Sequence, residues 1–241
     1  MFPPPVHGDP SPVAAPDHVR LRFDGWIAGT GTSSGTRIVL GRWDRSPFGT
    51  FTDVMLERAD GQRLLLAPTP QTADFVGSAY AFDTVRVVPV DAHIEKNTWT
   101  VTAGPLRLRL TTGRRGPLGH LLHAVPGTLA ARPAWATLTA LPARLLLTGV
   151  RTRGTVGAQT HQNRGARPGE IRRRQWYGAR DLRPIVAVSA SFDGADLGTM
   201  APVAPAVRFG FGSTPRKPAV ARITTTVEVT DAAAAEEPTP N

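Results

Sequence analysis

The sequence predicts a mainly β fold of the α+β class, in which a single antiparallel β-barrel or closed sandwich carries a helical insertion. Apolar and polar residues alternate with a period of two in about ten segments, as in strands with one buried face. These segments recur every ~8–12 residues with short turns between them, which is typical of antiparallel barrels and sandwiches. Residues 117–149 break the alternation: leucines recur there at helical spacing, and four prolines divide the stretch into short helices.

The chain has 241 residues, which is enough for one domain of this kind, and we expect that domain to cover residues 18–230. Residues 1–17 contain six prolines and no apolar run, and residues 231–241 are small, acidic and proline-containing. Both ends are therefore predicted to be disordered tails. Residues 1–17 lack the pattern of a secretory signal, and no segment reaches about 18 uninterrupted apolar residues. These features predict a soluble, cytoplasmic protein.

Four strands and one helix are predicted in the first third of the chain. The strands are residues 18–26, 36–43, 51–58 and 62–67. The last two form a hairpin through Ala59-Asp60-Gly61, in which the glycine can adopt positive φ. Residues 69–81 are predicted to be helical, because Thr69 offers an N-cap and Pro70 fits the first helical position.

The remaining strands are predicted at residues 84–88, 98–103, 105–111, 185–192, 205–211 and 219–229. Between them, the helical insertion 117–149 is expected to cover one end of the barrel. Residues 151–175 follow it, and Val156 and Ile171 are their only large apolar residues. We therefore expect a long, flexible, basic loop at 151–175.

The basic charge of the chain is concentrated in its middle. The formal net charge is +9, yet residues 97–169 contain 10 arginines and no Asp or Glu, while the flanking parts are nearly balanced. Such a stretch favours an anionic partner. The chain contains no cysteine, which excludes disulfides, thiolate metal sites and cysteine nucleophiles.

Four arginines are candidate ligand-binding residues. Arg107 and Arg109 share one face of a predicted strand, and Arg114 and Arg115 lie just past its end. If this face lines a cavity, the guanidinium groups could pair with a carboxylate or a phosphate. If it is the outer face of the barrel, Arg107 and Arg109 are ordinary solvent-exposed residues.

Two carboxylates are candidate catalytic residues. Asp53 and Glu57 have the same parity on one predicted strand and can therefore share a face. Acid–base catalysis would require one of them to lie in a cavity with a raised pKa. The sequence leaves enzymatic activity undecided.

Other motifs do not predict a cofactor or a metal site. Gly31-Thr32-Ser33-Ser34-Gly35 matches the serine-hydrolase pattern G-x-S-x-G, but a strand rather than a helix is predicted after it, which indicates a hairpin loop. His120 and His123 lie three residues apart, but no acidic residue lies nearby in sequence to complete a metal site. No glycine-rich phosphate-binding motif is present.

The segment 41–57, GRWDRSPFGTFTDVMLE, resembles the acetoacetate decarboxylase-like family. The residues that carry the resemblance are Ser46-Pro47-Phe48-Gly49, Phe51 and Asp53, and residues 182–203 are similar to a late strand of the family. The resemblance implies an antiparallel β-barrel or cone with a small-molecule cavity. The family's decarboxylases act through a Schiff-base lysine beside a second lysine. Residues 77–83, where that pair is expected, contain no lysine, and Lys96 and Lys217 are isolated, so the resemblance implies the fold without decarboxylation.

We expect the protein to bind a small, largely apolar molecule with an anionic head in a barrel cavity. Two alternatives stay open: a lyase or hydrolase of acetoacetate decarboxylase-like fold with non-lysine chemistry, and attachment to an anionic surface through the arginine-rich middle. For the second alternative, peripheral membrane contact is compatible with the sequence. Nucleic acid is disfavoured, because the arginines at 172–174 and the aromatic residues Trp176 and Tyr177 come without a nucleic-acid-binding motif. The oligomeric state is left open.

Overall fold

The computed structural model describes residues 18–124, 153–156, 171–210 and 215–231, which form two helices and thirteen strands. The helices are α1 (Pro70–Ala79) and α2 (Pro117–Ala124). The strands are β1 (His18–Thr32), β2 (Arg37–Arg45), β3 (Phe51–Glu57), β4 (Arg63–Ala67), β5 (Thr84–Val87), β6 (Val90–Glu95), β7 (Thr98–Ala103), β8 (Leu106–Thr112), β9 (Arg153–Val156), β10 (Ile171–Phe192), β11 (Ala195–Asp196), β12 (Met200–Ala201) and β13 (Ala219–Asp231).

Ten of these strands follow one another in a single sheet, in the order β5-β4-β3-β2-β1-β13-β10-β8-β7-β6. Neighbouring strands are antiparallel, except for the parallel pair β4–β5. The sheet curls until the edge strand β6 approaches β2, where Arg42 Nη1 donates a hydrogen bond of 3.0 Å to the carbonyl oxygen of Ala92. The result is a barrel-like, half-closed sheet, and the predicted mainly β class with helices is confirmed.

A first hydrophobic core fills the concave side of the curled sheet. It joins residues from both halves of the strand order, so it holds the curl together across the interior. Leu106, Leu108 and Leu110 of β8 point into this core, as their period-two spacing requires. The indole rings of Trp26 on β1 and Trp99 on β7 meet edge-to-face, with centroids 6.0 Å apart.

A second hydrophobic core lies on the convex side of β1–β4 and β13, beneath α1 and the segment 203–210. Helix α1 is fixed at its start by a capping box, in which Thr69 and Thr72 exchange side-chain and backbone hydrogen bonds. Ala73 and Val76 of α1 and Phe209 of the covering segment pack onto the sheet. Both faces of β3 are consequently buried over its whole length.

The predicted insertion begins at α2, while its remaining residues, 125–149, lie outside the described residues. Helix α2 packs on β10: Leu122 is buried, and Gly119 lies so close to the carbonyl oxygen of Leu182 that no Cβ would fit. Leu121 is 65% exposed. Neither described helix is long and apolar enough to cross a membrane.

The structure corrects two predicted segments. Part of the basic loop 151–175 is strand: residues 153–156 form β9, and β10 begins at Ile171, since their backbones join the ladder with β10 and β13 even though few side chains are apolar. Residues 205–210, predicted to be part of a strand, are irregular, because Pro205 lacks a backbone N–H and Arg208 and Phe209 are held by side-chain contacts instead. Residues 1–17, 157–170 and 232–241 lie outside the described residues.

Candidate functional site

A cleft of about 320 Å³ opens at one end of the concave core. Three chain reversals border it: the turn from β1 to β2, the turn from β3 to β4, and the turn from β10 to β11. Its floor is apolar and belongs to the concave core, and its rim is polar. The floor consists of Leu56, Leu64, Phe192 and Leu197, and the polar lining residues are Ser34, Thr36, Arg58, Asp60 and Asp196.

Backbone hydrogen bonds fix the walls of the cleft to one another. Ser33 N donates to the carbonyl oxygen of Thr199 over 2.8 Å, and Ser34 N donates to that of Leu197 over 3.1 Å. The β3–β4 turn closes through Gly61, which adopts φ of 90° and donates its N–H to the carbonyl oxygen of Arg58. Positive φ is strained for residues other than glycine, so this turn depends on Gly61. The cleft is thus built from tight turns rather than from long loops.

Arg58 is the cation of this cleft. It follows the last residue of β3, and its guanidinium carbon lies 5.7 Å from the centroid of the Phe192 ring. Within the described residues Arg58 forms no ion pair. Arginine placed over an aromatic ring at the edge of an apolar floor can pair with a carboxylate in bidentate geometry.

The hydroxyl groups on the opposite wall form a short chain of hydrogen bonds. Ser34 Oγ lies 3.0 Å from Thr32 Oγ1 and donates to Thr36 Oγ1 over 3.1 Å. Thr32 and Ser34 belong to the G-x-S-x-G match, which forms the end of β1 and the hairpin turn to β2, as predicted. Ser33 Oγ accepts a hydrogen bond from the backbone N–H of Thr199 and so supports the turn. The arrangement lacks the strand–turn–helix context of a serine nucleophile.

In the structure, Arg107 and Arg109 lie on the solvent-exposed face of the sheet and do not line an apolar cavity. Both side chains are exposed on the outer face of β8, opposite the leucines that enter the concave core. Arg107 Nη1 donates to the carbonyl oxygens of Gly104 and Leu106. Both arginines border a shallow depression of about 250 Å³ on the outer surface, which shares Asp196 with the cleft but none of the residues of its apolar floor.

Arg114 and Arg115 do not join them. Arg114 is exposed, whereas Arg115 forms a bidentate ion pair with the buried Asp181, with Nε–Oδ1 and Nη2–Oδ2 distances of 2.8 and 2.9 Å. Arg183 also pairs with Asp181, at 3.3 Å. Arg115 therefore anchors the base of α2 to β10, and the four predicted arginines are not brought together around one ligand.

Asp53 is buried in the convex core and does not border the cleft. Its Oδ1 accepts a hydrogen bond of 3.0 Å from Trp43 Nε1, and Gly41 on the neighbouring strand leaves room for this contact, since a Cβ there would lie 2.6 Å from Oδ1. Burial away from water raises the pKa of Asp53 from 3.8 to about 7, against the opposing effect of the Trp43 hydrogen bond. The carboxyl is thus a buried acid beneath aromatic side chains.

Glu57 is fully buried and holds the segment 203–210 against β3. Its carboxylate accepts hydrogen bonds from the backbone N–H and Nε of Arg208, over 2.6 and 2.7 Å, and pairs with Arg37 Nη2 at 2.8 Å. Arg37 is itself buried, and its Nε has no hydrogen-bond partner among the described residues. Asp53 and Glu57 share a face as predicted, but it is the face covered by α1 and Phe209.

Arg58, the cation that lines this cleft, is not among the residues that the sequence analysis singles out. Its signal was present: an arginine closes the apolar strand 51–58 immediately before a tight turn, so it must stand at the end of the sheet. Phe192 could not be assigned to the same cleft, because it lies far from Arg58 in the sequence. As for metals, the described part of the chain contains no group of three or more His, Cys, Asp or Glu side chains that could hold an ion.

Comparisons with known proteins add little to this picture. No protein-family model matches the chain, and no curated protein matches it. The chain is similar to a solved structure described as "Structural Studies of Acetoacetate Decarboxylase", with 10% sequence identity over 90% of this chain and 88% of that chain. The TM-score of this superposition is 0.35, so the likeness is distant.

Proposed function

We propose that this protein binds a small, largely apolar molecule with an anionic group in the cleft beside Arg58. The apolar part would lie on Leu56, Leu64 and Phe192, and the anionic group would meet the guanidinium of Arg58. The observation that carries the proposal is the combination of an apolar floor, continuous with the core, and an arginine that forms no ion pair among the described residues. Small-molecule sites commonly join a concave apolar surface to a few polar groups in this way.

The size of the cleft supports a small ligand. Its volume of about 320 Å³ lies at the lower end of the ~300–1,000 Å³ that small-molecule sites occupy. The guanidinium lies over the Phe192 ring, so its position is restrained before a ligand arrives. A restrained donor loses less conformational entropy on binding, which favours affinity.

The geometry favours ligand binding over acid–base catalysis, and it leaves attachment to an anionic surface as a separate hypothesis. A lyase or hydrolase would need Asp53 or Glu57 beside the ligand, yet both carboxylates lie in the convex core and outside the cleft. Attachment to an anionic surface would use the arginine-rich residues 97–169, of which Arg107, Arg109 and Arg114 are exposed.

We expect Arg58→Gln to weaken the binding of apolar carboxylates about tenfold or more. A charge-assisted hydrogen bond contributes ~1.5–3 kcal/mol, and the substitution removes the charge while keeping a polar side chain that can donate hydrogen bonds. The measurement is isothermal titration calorimetry with hits from a thermal-shift screen of aromatic and branched aliphatic monocarboxylates, with and without an α-amino group.

Two control variants locate the binding. Arg86→Gln changes an exposed arginine on the edge strand β5 and should leave affinity unchanged. Arg107→Gln with Arg109→Gln tests the outer face, and it should also leave affinity unchanged if the cleft is the site. A hit that loses affinity in the Arg107/Arg109 variant but not in Arg58→Gln would contradict the proposal, as would the absence of any stabilising carboxylate.

A further inference from the structure

The charges that border the cleft do not balance. Arg58 contributes one positive charge, while Asp60 and Asp196 contribute two negative charges. Within the described residues none of the three belongs to an ion pair. A ligand with a single negative charge would meet Arg58 but would also approach two carboxylates.

Each carboxylate uses one oxygen to support its own turn. Asp60 Oδ1 accepts the backbone N–H of Gln62 over 2.9 Å, and Asp196 Oδ1 accepts that of Gly198 over 2.9 Å. Among the described residues, Oδ2 of each group forms no further hydrogen bond. An ionised carboxylate accepts several hydrogen bonds, so both retain capacity for a donor on a ligand.

We infer that the ligand carries a protonated amine in addition to its anionic group, and thus belongs to the class of apolar amino acids. This inference rests on the proposed function and refines it. The carboxylate of such a zwitterion would pair with Arg58, and its ammonium group would face Asp60 or Asp196, while the apolar side chain covers Phe192 and the leucines. A zwitterion leaves one excess negative charge in the cleft, whereas a monoanion brings a second negative charge toward the aspartates.

The test compares three compounds on each of two matched scaffolds. The aromatic set is phenylalanine, 3-phenylpropanoate and 2-phenylethylamine, and the aliphatic set is leucine, 4-methylpentanoate and isopentylamine. Calorimetry at pH 7 should show the amino acid of at least one set binding about tenfold or more tightly than its monoanion and its amine, since each of these two compounds lacks one of the two charge-assisted hydrogen bonds.

Variants that remove charge test the contribution of the two aspartates and that of Arg58 separately. Asp60→Asn with Asp196→Asn should abolish the preference of the amino acid over the monoanion, because asparagine can keep each turn hydrogen bond but offers no negative charge. Arg58→Gln should abolish the preference over the amine. Asp193→Asn, at the adjacent turn but outside the cleft, is the matched control and should change neither preference.

The outcomes distinguish this inference from the proposed function. If monoanion and amino acid bind equally well and both depend on Arg58, the inference is overturned and the proposed function stands. If the amines bind best, or if none of the six compounds binds, both are overturned. Unfolding midpoints of every variant, measured by circular dichroism, show whether a loss of binding reflects a loss of folding.

Discussion

At the scale of single residues, Asp53 shows how a carboxyl can belong to a core. The convex core encloses it. Among the side chains of the described residues, only the Trp43 indole N–H donates a hydrogen bond to its Oδ1, and Gly41 leaves the space for this contact. Burial without a neighbouring cation disfavours the charged form, which is why the pKa rises to about 7. Glu57, four residues along the same face, is instead contacted by two arginines, Arg37 and Arg208.

The raised pKa of Asp53 predicts a specific pH dependence of stability. The unfolded chain releases this proton near pH 3.8, while the folded protein retains it up to about pH 7. Between these values the folded state binds more protons, so the contribution of Asp53 to the free energy of unfolding falls as pH rises and levels off above pH 7.

Asp53→Asn should therefore stabilise the protein above pH 7 relative to the natural sequence, and progressively less as pH falls towards 4. One pKa unit corresponds to about 1.4 kcal/mol, so the gain should reach a few kcal/mol. Asparagine keeps an oxygen for the Trp43 N–H. Urea unfolding of both proteins from pH 5 to 8.5 gives the difference, and two parallel curves would show that Asp53 is not retained as a neutral acid.

At the scale of elements, β3 carries Asp53, Glu57 and a residue of the cleft floor because both of its faces are buried. Its even-numbered side chains enter the concave core, where Leu56 reaches the cleft, and its odd-numbered side chains enter the convex core with Asp53 and Glu57. The strand thus links the cleft to the segment 203–210 that Glu57 holds in place. The role of Glu57 is therefore structural: it fixes how this segment packs on β3.

Glu57→Gln should destabilise the protein by about 3–5 kcal/mol, because it leaves the buried Arg37 without a counter-charge. Arg208→Gln is the matched control: the Arg208 side chain is 66% exposed, so its loss should matter far less. Urea unfolding measures both, and limited proteolysis reports whether residues 203–210 become accessible. Equal effects of the two variants would show that the buried Arg37–Glu57 pair is not what fixes this segment.

At the scale of the whole molecule, local patterns predict the fold class and most elements, but not β6, β9 or the contacts between distant strands. Alternation at Leu106, Leu108 and Leu110 correctly separates two faces of β8, but it does not say which face encloses a cavity. The site needs Arg58 beside Phe192, residues from strands that are not neighbours in the sheet. Such contacts follow from the curl of the sheet. Likewise, residues 171–175 extend β10 because β13 pairs with them, a cause that lies outside their own sequence.

Because one sheet separates and supports both cores, we expect them to unfold together. Leu108→Ala in the concave core and Met55→Ala in the convex core should each lower stability by ~2–5 kcal/mol through the cavity they leave. In both variants, urea transitions followed by far-UV circular dichroism and by tryptophan fluorescence should still coincide, as for one cooperative unit. Trp26 and Trp99 report on the concave side and Trp43 on the convex side. If the two transitions separate in Leu108→Ala, the convex core and α1 unfold independently of the concave core. In that case β3 does not couple the stability of the two cores.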